Sequence, residues 1–214
     1  MPGEGTFRAA RGARYLALGD SYTMGEGVGT AERWPGQLAA LLRRAGVAIG
    51  DPVVIARTGW TTDDLAAGIE ADAPAGPFDL VTLLIGVNDQ YRGRRLDVYR
   101  GRMRALLRRA VSFAGGRPGR LVVLSIPDWG AAPFAEGRDR RRIAAAIDRF
   151  NAANREESMK AGARYVDVTA ASRAAPAQED AFAADGLHPS GRAHATWARL
   201  ALPAALQALA GDTK

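Results

Sequence analysis

The chain has 214 residues, no Cys and a formal net charge of +6 at pH 7. This length suits one domain with its own core, and the absence of Cys excludes thiol nucleophiles, disulfides and Cys-based zinc sites. The basic residues are nearly all Arg, and several are adjacent along helical stretches: Arg43/Arg44, Arg94/Arg95, Arg108/Arg109 and Arg140 to Arg142. Acidic residues and Ala lie between them, which favours solvated helix faces over a nucleic-acid-binding surface.

Five short segments have the continuous apolar character of strands that are buried on both faces of a sheet. In chain order they are residues 14–18, 53–56, 80–85, 121–126 and 165–168. Between them, apolar residues at helical spacing predict helices over residues 34–45, 62–71, about 99–110 and about 143–150, and a last helix from Ser190. Ser190 is a suitable N-cap, and Pro203 is expected to kink or end this helix. Two stretches have the character of long loops, residues 128–137 and 170–184.

Strands that alternate with helices predict one parallel sheet with helices on both faces. We expect a single domain over residues 13–211, preceded by a flexible tail of residues 1–12. The first residues lack the basic start, apolar run and small-residue cleavage site of a signal peptide, and the apolar stretch 15–18 is far too short to span a bilayer. These features predict a cytoplasmic protein without stable membrane insertion.

Polar segments follow the first three predicted strands, and a fourth lies in the loop before the last helix. They are Gly19-Asp20-Ser21, Thr58-Gly59-Trp60, Gly86-Val87-Asn88-Asp89 and Asp185-Gly186-Leu187-His188-Pro189-Ser190. Ligands of parallel sheets bind beyond the carboxyl ends of the strands, so we expect these segments to meet at one edge of the sheet. There Ser21 would expose a hydroxyl, Gly59 a bare N–H donor and Asn88 a side-chain amide.

Each of the first three segments also has an ordinary explanation. Gly-Asp-Ser alone fits a common turn, Gly59 a turn before a helix, and Asn88-Asp89 a turn in which Asp89 caps the next helix. The fourth segment is more specific, because Asp185 precedes His188 by three residues with a Gly between them. The loop can therefore fold the carboxylate back onto the imidazole, which is how the base of a Ser nucleophile is oriented.

The second histidine, His194, lies about one turn into the last helix, where we expect a half-exposed surface position. His188 and His194 lack the spacing of two ligands on one helical face, and no acidic cluster completes a metal site. Gly25, Gly27 and Gly29 follow the first strand but lack the Gly-x-Gly-x-x-Gly order and the Lys of a phosphate-binding loop. We predict neither a metal nor a cofactor, and keep a non-catalytic nucleotide- or phosphate-binding module as an alternative.

Together, the four segments resemble the blocks of the SGNH hydrolase superfamily, also called GDSL-type esterases and lipases. The blocks read GDSYTMGEG, RTGWTTDDL, GVNDQYRG and DGLHPSGRAH, and the resemblance extends from Tyr15 to about Trp197. Tyr22 stands where the original signature has Leu. The resemblance implies a flavodoxin-like, three-layer α/β/α sandwich with a five-stranded parallel sheet. The α/β-hydrolase elbow Gly-x-Ser-x-Gly does not fit, since Thr23 stands where its second Gly is needed.

The resemblance also implies a serine esterase that works through an acyl-enzyme and needs no cofactor or metal. Ser21 is the expected nucleophile, His188 its base and Asp185 the acid that orients the base. The expected oxyanion donors are the N–H of Ser21, the N–H of Gly59 and the side-chain amide of Asn88.

Four aromatic residues in or near post-strand loops are candidates for lining an acyl pocket and, equally, for packing in the core: Trp60, Tyr91, Trp129 and Phe134. Asp20 is expected to brace the nucleophile turn. The expected substrate is a small-molecule ester with a short acyl or acetyl group, and acyl thioesters and O-acetyl groups on sugars remain alternatives for the same triad. We predict no nucleic-acid partner and leave the oligomeric state open.

Overall fold

The computed structural model describes residues 12–178 and 180–210, and a single parallel sheet lies at its centre. Its strands are β1 (Tyr15–Asp20), β2 (Val53–Arg57), β3 (Leu80–Leu84), β4 (Leu121–Leu124) and β5 (Arg164–Val166). Their order across the sheet is β2-β1-β3-β4-β5, with every neighbouring pair parallel. The chain adds β2 on one side of β1 and β3 on the other, so a topological switch point lies beyond the carboxyl ends of β1 and β3.

Helices cover both faces of this sheet. In chain order they are α1 (Ser21–Met24), α2 (Trp34–Arg44), α3 (Thr62–Asp72), α4 (Val87–Tyr91), α5 (Leu96–Phe113), α6 (Arg140–Lys160), α7 (Thr169–Ala174) and α8 (Gly191–Ala210). Helices α2 and α8 pack against each other in one layer, and α3, α5 and α6 form the other layer. No helix in the described part of the chain is long and apolar enough to cross a bilayer.

The predicted three-layer α/β/α sandwich with five parallel strands is confirmed, and some local features differ from prediction. Strand β2 lies at an edge, so it is not buried on both faces, and the side chain of Val53 is 47% exposed. The stretch 170–184 is not all loop, because most of α7 lies within it. The predicted tail, apart from Gly12, and the predicted domain end at residue 211 lie outside the described residues.

The last helix begins as predicted but does not end at Pro203. Ser190 Oγ accepts the backbone N–H of Ala193 at 3.3 Å, which is a capping contact for α8. The helix then continues through Pro203 to Ala210. Packing of its apolar face in the layer with α2 outweighs the hydrogen bond that Pro203 cannot donate.

The register of the sheet brings the polar segments together at the carboxyl ends of the strands. Asp20 is paired with Arg57 across β1 and β2, and Gly19 with Leu84 across β1 and β3. The residues that follow these pairs therefore leave the sheet at the same level. Gly19 permits this packing, since a Cβ there would lie 2.5 Å from the carbonyl oxygen of Leu84 and closer still to the Thr23 hydroxyl.

His194 is fully buried, so the predicted half-exposed position is wrong. Its Nδ1 accepts the backbone N–H of Trp34 at 3.4 Å, and its ring lies edge-on to Trp197. The helix face that carries His194 is the one packed against α2, which the spacing from Ser190 does not reveal. Burial, together with the electrostatic effects of nearby His188 and Arg33, lowers the pKa of His194 to about 3.

This buried imidazole is expected to make the fold sensitive to acid. The folded-state pKa of about 3 lies below the ordinary value of 6.5, so the unfolded chain binds the proton first as pH falls. The free energy of unfolding should therefore decrease by a few kcal/mol from pH 6.5 towards pH 3. Urea unfolding of His194→Asn should show a lower free energy of unfolding at pH 7 and a smaller decrease of this free energy as pH falls below 6.5. A decrease as steep as in the wild type would contradict the role of His194 in acid sensitivity.

Candidate active site

Asp185 and His188 lie in the loop that precedes α8 and form a tight pair. The Oδ2 atom of Asp185 lies 2.5 Å from Nδ1 of His188. Its Oδ1 atom accepts the backbone N–H groups of Leu187 and His188, both at 2.9 Å. Gly186 has φ of +65°, a conformation that glycine adopts without strain and that lets the loop fold back. The carboxylate thus orients the imidazole and leaves Nε2 free to face the cleft.

The hydrogen bonds to Asp185 keep it ionised. Partial burial acts to raise the pKa of this carboxyl group, but the bonds from the His188 side chain and from the Leu187 and His188 backbones outweigh burial, and the net pKa is lowered. A carboxylate beside Nδ1 stabilises the imidazolium that forms when Nε2 takes up a proton. This arrangement therefore supports a histidine that acts as a base.

Ser21 is the first residue after β1 and lies on the same cleft as His188. The cleft has a volume of about 200 Å³ and is lined by Ser21, Tyr22, Thr58, Gly59, Val87, Asn88, Tyr91, Trp129, Phe134, Leu187 and His188. Within the described residues, the Ser21 hydroxyl forms no hydrogen bond, so it is not committed to a structural role. The ring of Tyr22 lies edge-on to His188, with centroids 5.8 Å apart, and supports the imidazole from the side.

Asp20, directly before Ser21, braces the turn into α1. Its Oδ1 atom accepts the backbone N–H of Tyr22 at 3.0 Å. Full burial and the nearby carboxylate of Asp89 raise the pKa of Asp20 to about 8, against the lowering effect of the Tyr22 hydrogen bond. The side chain is buried below the cleft, which fits the structural role predicted for it.

Gly59 and Asn88 present polar groups to the cleft from the ends of β2 and β3. Gly59 has φ of +81°, and its N–H donates to no acceptor among the described residues. Arg92 donates from Nη2 to the carbonyl oxygen of Gly59 at 2.7 Å and fixes that peptide. The amide of Asn88 donates one N–H to the carbonyl oxygen of Trp60 at 2.9 Å, which leaves its second N–H for a ligand.

The geometry of the site agrees with a family comparison. A model of the GDSL-like lipase/acylhydrolase family matches residues 17–196. The chain belongs to this family. The protein is therefore an esterase of the GDSL or SGNH type, which replaces the alternative of a non-catalytic phosphate-binding module. No curated protein matches the sequence.

Solved structures share the fold of this esterase. It is similar to Axe2, an acetylxylan esterase from Geobacillus stearothermophilus, with a TM-score of 0.71 and 23% identity over 91% of this chain and 94% of that one. Similarity to TesA gives a TM-score of 0.70 and 19% identity over 89% and 97% of the two chains. The chain is also similar to LAE5, an α/β hydrolase from the metagenome of Lake Arreo, Spain, with a TM-score of 0.71 and 23% identity over 93% of this chain and 97% of that one. At these identities the similarity establishes the fold alone.

Three of the four predicted pocket aromatics line the esterase cleft, namely Tyr91, Trp129 and Phe134. Trp60 takes the other expected role, packing against the core, because its ring lies against α3, where a Cβ at Gly68 would meet it at 2.2 Å. Gly68 leaves the space that the indole occupies, so Trp60 packs against the core instead of facing the substrate.

Sequence reasoning did not single out several residues that shape the esterase site. Tyr22 was noted as a departure from the signature but not as a wall of the cleft, and Leu187 and Val87 line it as neighbours of His188 and Asn88. Their adjacency to the block residues was the available signal. Among the described residues, no group of three or more His, Asp or Glu side chains is arranged to hold a metal ion.

Proposed function

We propose that the esterase cleaves carboxylic esters through a Ser21–His188–Asp185 triad. Ser21 Oγ attacks the ester carbonyl carbon while Nε2 of His188 takes the hydroxyl proton. Asp185 holds the Nδ1–H tautomer and stabilises the imidazolium. The imidazolium then gives its proton to the leaving alcohol, and the acyl group stays on Ser21. Water, deprotonated by His188, releases the acid and restores the serine.

The tetrahedral oxyanion would be stabilised by the N–H groups of Ser21 and Gly59 and by the second amide N–H of Asn88. Such donors act best when they are fixed before the charge forms. The support for this assignment is the anchoring of Gly59 by Arg92 and of Asn88 by the Trp60 carbonyl. Removing one donor typically lowers kcat by about 10²–10³-fold.

The single observation that carries the proposal is the 2.5 Å Asp185–His188 pair on the same cleft as the unbonded Ser21 hydroxyl. This is the combination of nucleophile, base and orienting acid that acyl transfer needs. Acyl transfer by Ser21, His188 and Asp185 requires no cofactor.

We propose a short-chain ester as the substrate. The cleft volume of about 200 Å³ lies below the roughly 300–1,000 Å³ typical of sites for drug-sized ligands. A further apolar cavity, of about 30 Å³, adjoins the cleft behind Tyr22, Trp129 and Leu187, which adds little room for a chain. Acyl thioesters and sugar O-acetyl groups use the same triad and remain alternative substrates. A cytoplasmic location also remains a prediction.

An acyl-chain profile tests this substrate class. We expect kcat/KM for p-nitrophenyl esters to be highest between acetyl and butyryl and to fall more than about tenfold beyond octanoyl, because longer chains leave the cleft and expose apolar surface. Acetyl-thiocholine and a peracetylated xyloside, measured alongside, separate the thioester and sugar alternatives. A maximum at lauroyl or palmitoyl esters would contradict the short-chain assignment but not the triad.

A further inference from the structure

Arg138 stands over the three aromatic rings at the mouth of the cleft. Its guanidinium carbon lies 5.0 Å from the ring centroid of Phe134, 5.5 Å from that of Trp129 and 5.8 Å from that of Tyr91. All three rings line the cleft that contains Ser21. The guanidinium lies over the three rings, and because ring faces carry the negative part of the quadrupole, they favour a cation there and hold a positive charge against this wall of the cleft.

The rings and the backbone under Arg138 are themselves anchored. Trp129 donates from its indole nitrogen to the side-chain oxygen of Gln90 at 2.8 Å. The rings of Tyr91 and Phe134 pack edge-on to Trp129, with centroids 5.2 Å and 6.3 Å away. The backbone N–H of Arg138 donates to the carbonyl oxygen of Ala135 at 3.1 Å. The rings on which the guanidinium packs are therefore held in place before any substrate arrives.

No acidic residue of the described chain neutralises Arg138. Glu136 and Asp139 are its nearest acids in sequence, but neither forms an ion pair with it, and Asp139 caps α6 by accepting the backbone N–H of Arg142 at 2.9 Å. Across residues 12–178 and 180–210 the Arg138 side chain makes no hydrogen bond. Its five N–H donors are therefore available to a ligand.

Three other charged residues near the cleft are already engaged. Arg92 donates to the Gly59 carbonyl oxygen and lies 3.8 Å from Asp64. Asp185 is bound by His188, and Glu26 accepts the Thr58 hydroxyl. Arg138 differs from these three, because within the described residues its charge has no partner.

We propose that Arg138 is a specificity-determining residue that binds a carboxylate or phosphate group of the substrate, so that the enzyme prefers anionic esters. This inference rests on the proposed esterase function. The planar guanidinium presents two parallel N–H groups that match a carboxylate or a phosphate, and the rings remove the rotational freedom that such a contact otherwise costs.

Two pairs of size-matched esters test this specificity. 4-Acetoxybenzoate and 4-acetoxybenzamide place the charge on the leaving group, and the p-nitrophenyl monoesters of adipic acid and adipamic acid place it on the acyl group. The wild-type enzyme should prefer the anion about tenfold or more in one pair, as expected for a charge-assisted hydrogen bond. The pair that responds identifies the side of the substrate that Arg138 contacts. Raising the salt concentration should weaken the preference.

Arg138→Gln should remove the preference by lowering kcat/KM for the anion alone, and Arg138→Lys should retain part of it because the charge remains without the fork. The matched control is Arg117→Gln. It removes the same charge near the amino end of β4, whereas the cleft lies beyond the carboxyl ends of the strands. An equal effect on charged and neutral esters, or no effect on either, would overturn the proposal while leaving the esterase function intact. Failure of the wild-type enzyme to hydrolyse any of the four esters would overturn both.

Discussion

Ser21→Ala is expected to lower kcat for p-nitrophenyl acetate and butyrate by about 10⁴-fold or more, because it removes the atom that would form the acyl-enzyme. The residual rate should be that of water attacking an ester still bound at the oxyanion donors. Steady-state hydrolysis, with the background rate in buffer subtracted, measures the loss.

The fold should tolerate this substitution, since within the described residues the Ser21 hydroxyl makes no hydrogen bond and Ala keeps the Cβ. The matched control is Ser112→Ala, an exposed serine near the carboxyl end of α5. Both variants should unfold at nearly the wild-type temperature, and the control should keep wild-type activity. Hydrolysis by purified Ser21→Ala at a tenth of the wild-type rate would remove Ser21 from the role of nucleophile.

Asp185→Asn is expected to give the second largest loss, a fall in kcat of about 10⁴-fold with a smaller change in KM. The Oδ1 atom of the new side chain can still accept the backbone N–H groups of Leu187 and His188, so the loop should keep its shape. In place of the Oδ2 atom of Asp185, which accepts a hydrogen bond, the amide N–H of Asn would face Nδ1 of His188. The imidazole would then carry its proton on Nε2, where it cannot take one from Ser21.

Measuring activity and stability together separates loss of the orientation of His188 from loss of the fold. Asp51→Asn provides the control, since Asp51 is exposed and pairs only with Arg43 in the described chain. If the acid orients the base, Asp185→Asn should lose activity while its unfolding temperature and its binding of an uncleaved substrate analogue stay close to wild type. A loss of less than about tenfold would contradict the role of Asp185 in the triad.

The sheet and its chemistry could be predicted from sequence because parallel strands leave a simple record. Buried strands such as residues 121–124 are continuously apolar, and the strand ends are marked by Gly, Asn or Ser. Once all strands run in one direction, their carboxyl ends lie on the same side of the sheet, and the observed pairing of Gly19 with Leu84 and of Asp20 with Arg57 agrees with this. Residues far apart in sequence could thus be predicted to meet at the edge of the sheet.

Side-chain direction within the loops and helices was not predictable in the same way. Trp60 follows a strand, as the cleft residues do, yet its ring turns onto α3 because Gly68 leaves room there. His194 lies on the face of α8 that packs against α2, and only the tertiary arrangement determines that face. The edge position of β2 likewise depends on strand order, which local sequence patterns do not specify.

The position of Arg138 over the aromatic rings was likewise not predictable from the sequence. Tyr91 and Trp129 are far apart in sequence from each other, and Arg138 was one of many arginines in a basic chain. Nothing in its local sequence distinguishes it from arginines that form surface ion pairs, such as Arg95 with Asp97. Its significance depends on where the loop between β4 and α6 places it relative to the cleft.

The most direct test of the account is to locate the covalent adduct formed with a fluorophosphonate ester. Intact-protein mass spectrometry should show one adduct per chain, peptide mapping should place it on Ser21, and labelling should remove all activity towards p-nitrophenyl acetate. Ser21→Ala should take up no label, and His188→Ala should react far more slowly because the base is missing. A stoichiometric adduct on any other residue, or full hydrolytic activity in protein labelled at Ser21, would contradict the proposed mechanism.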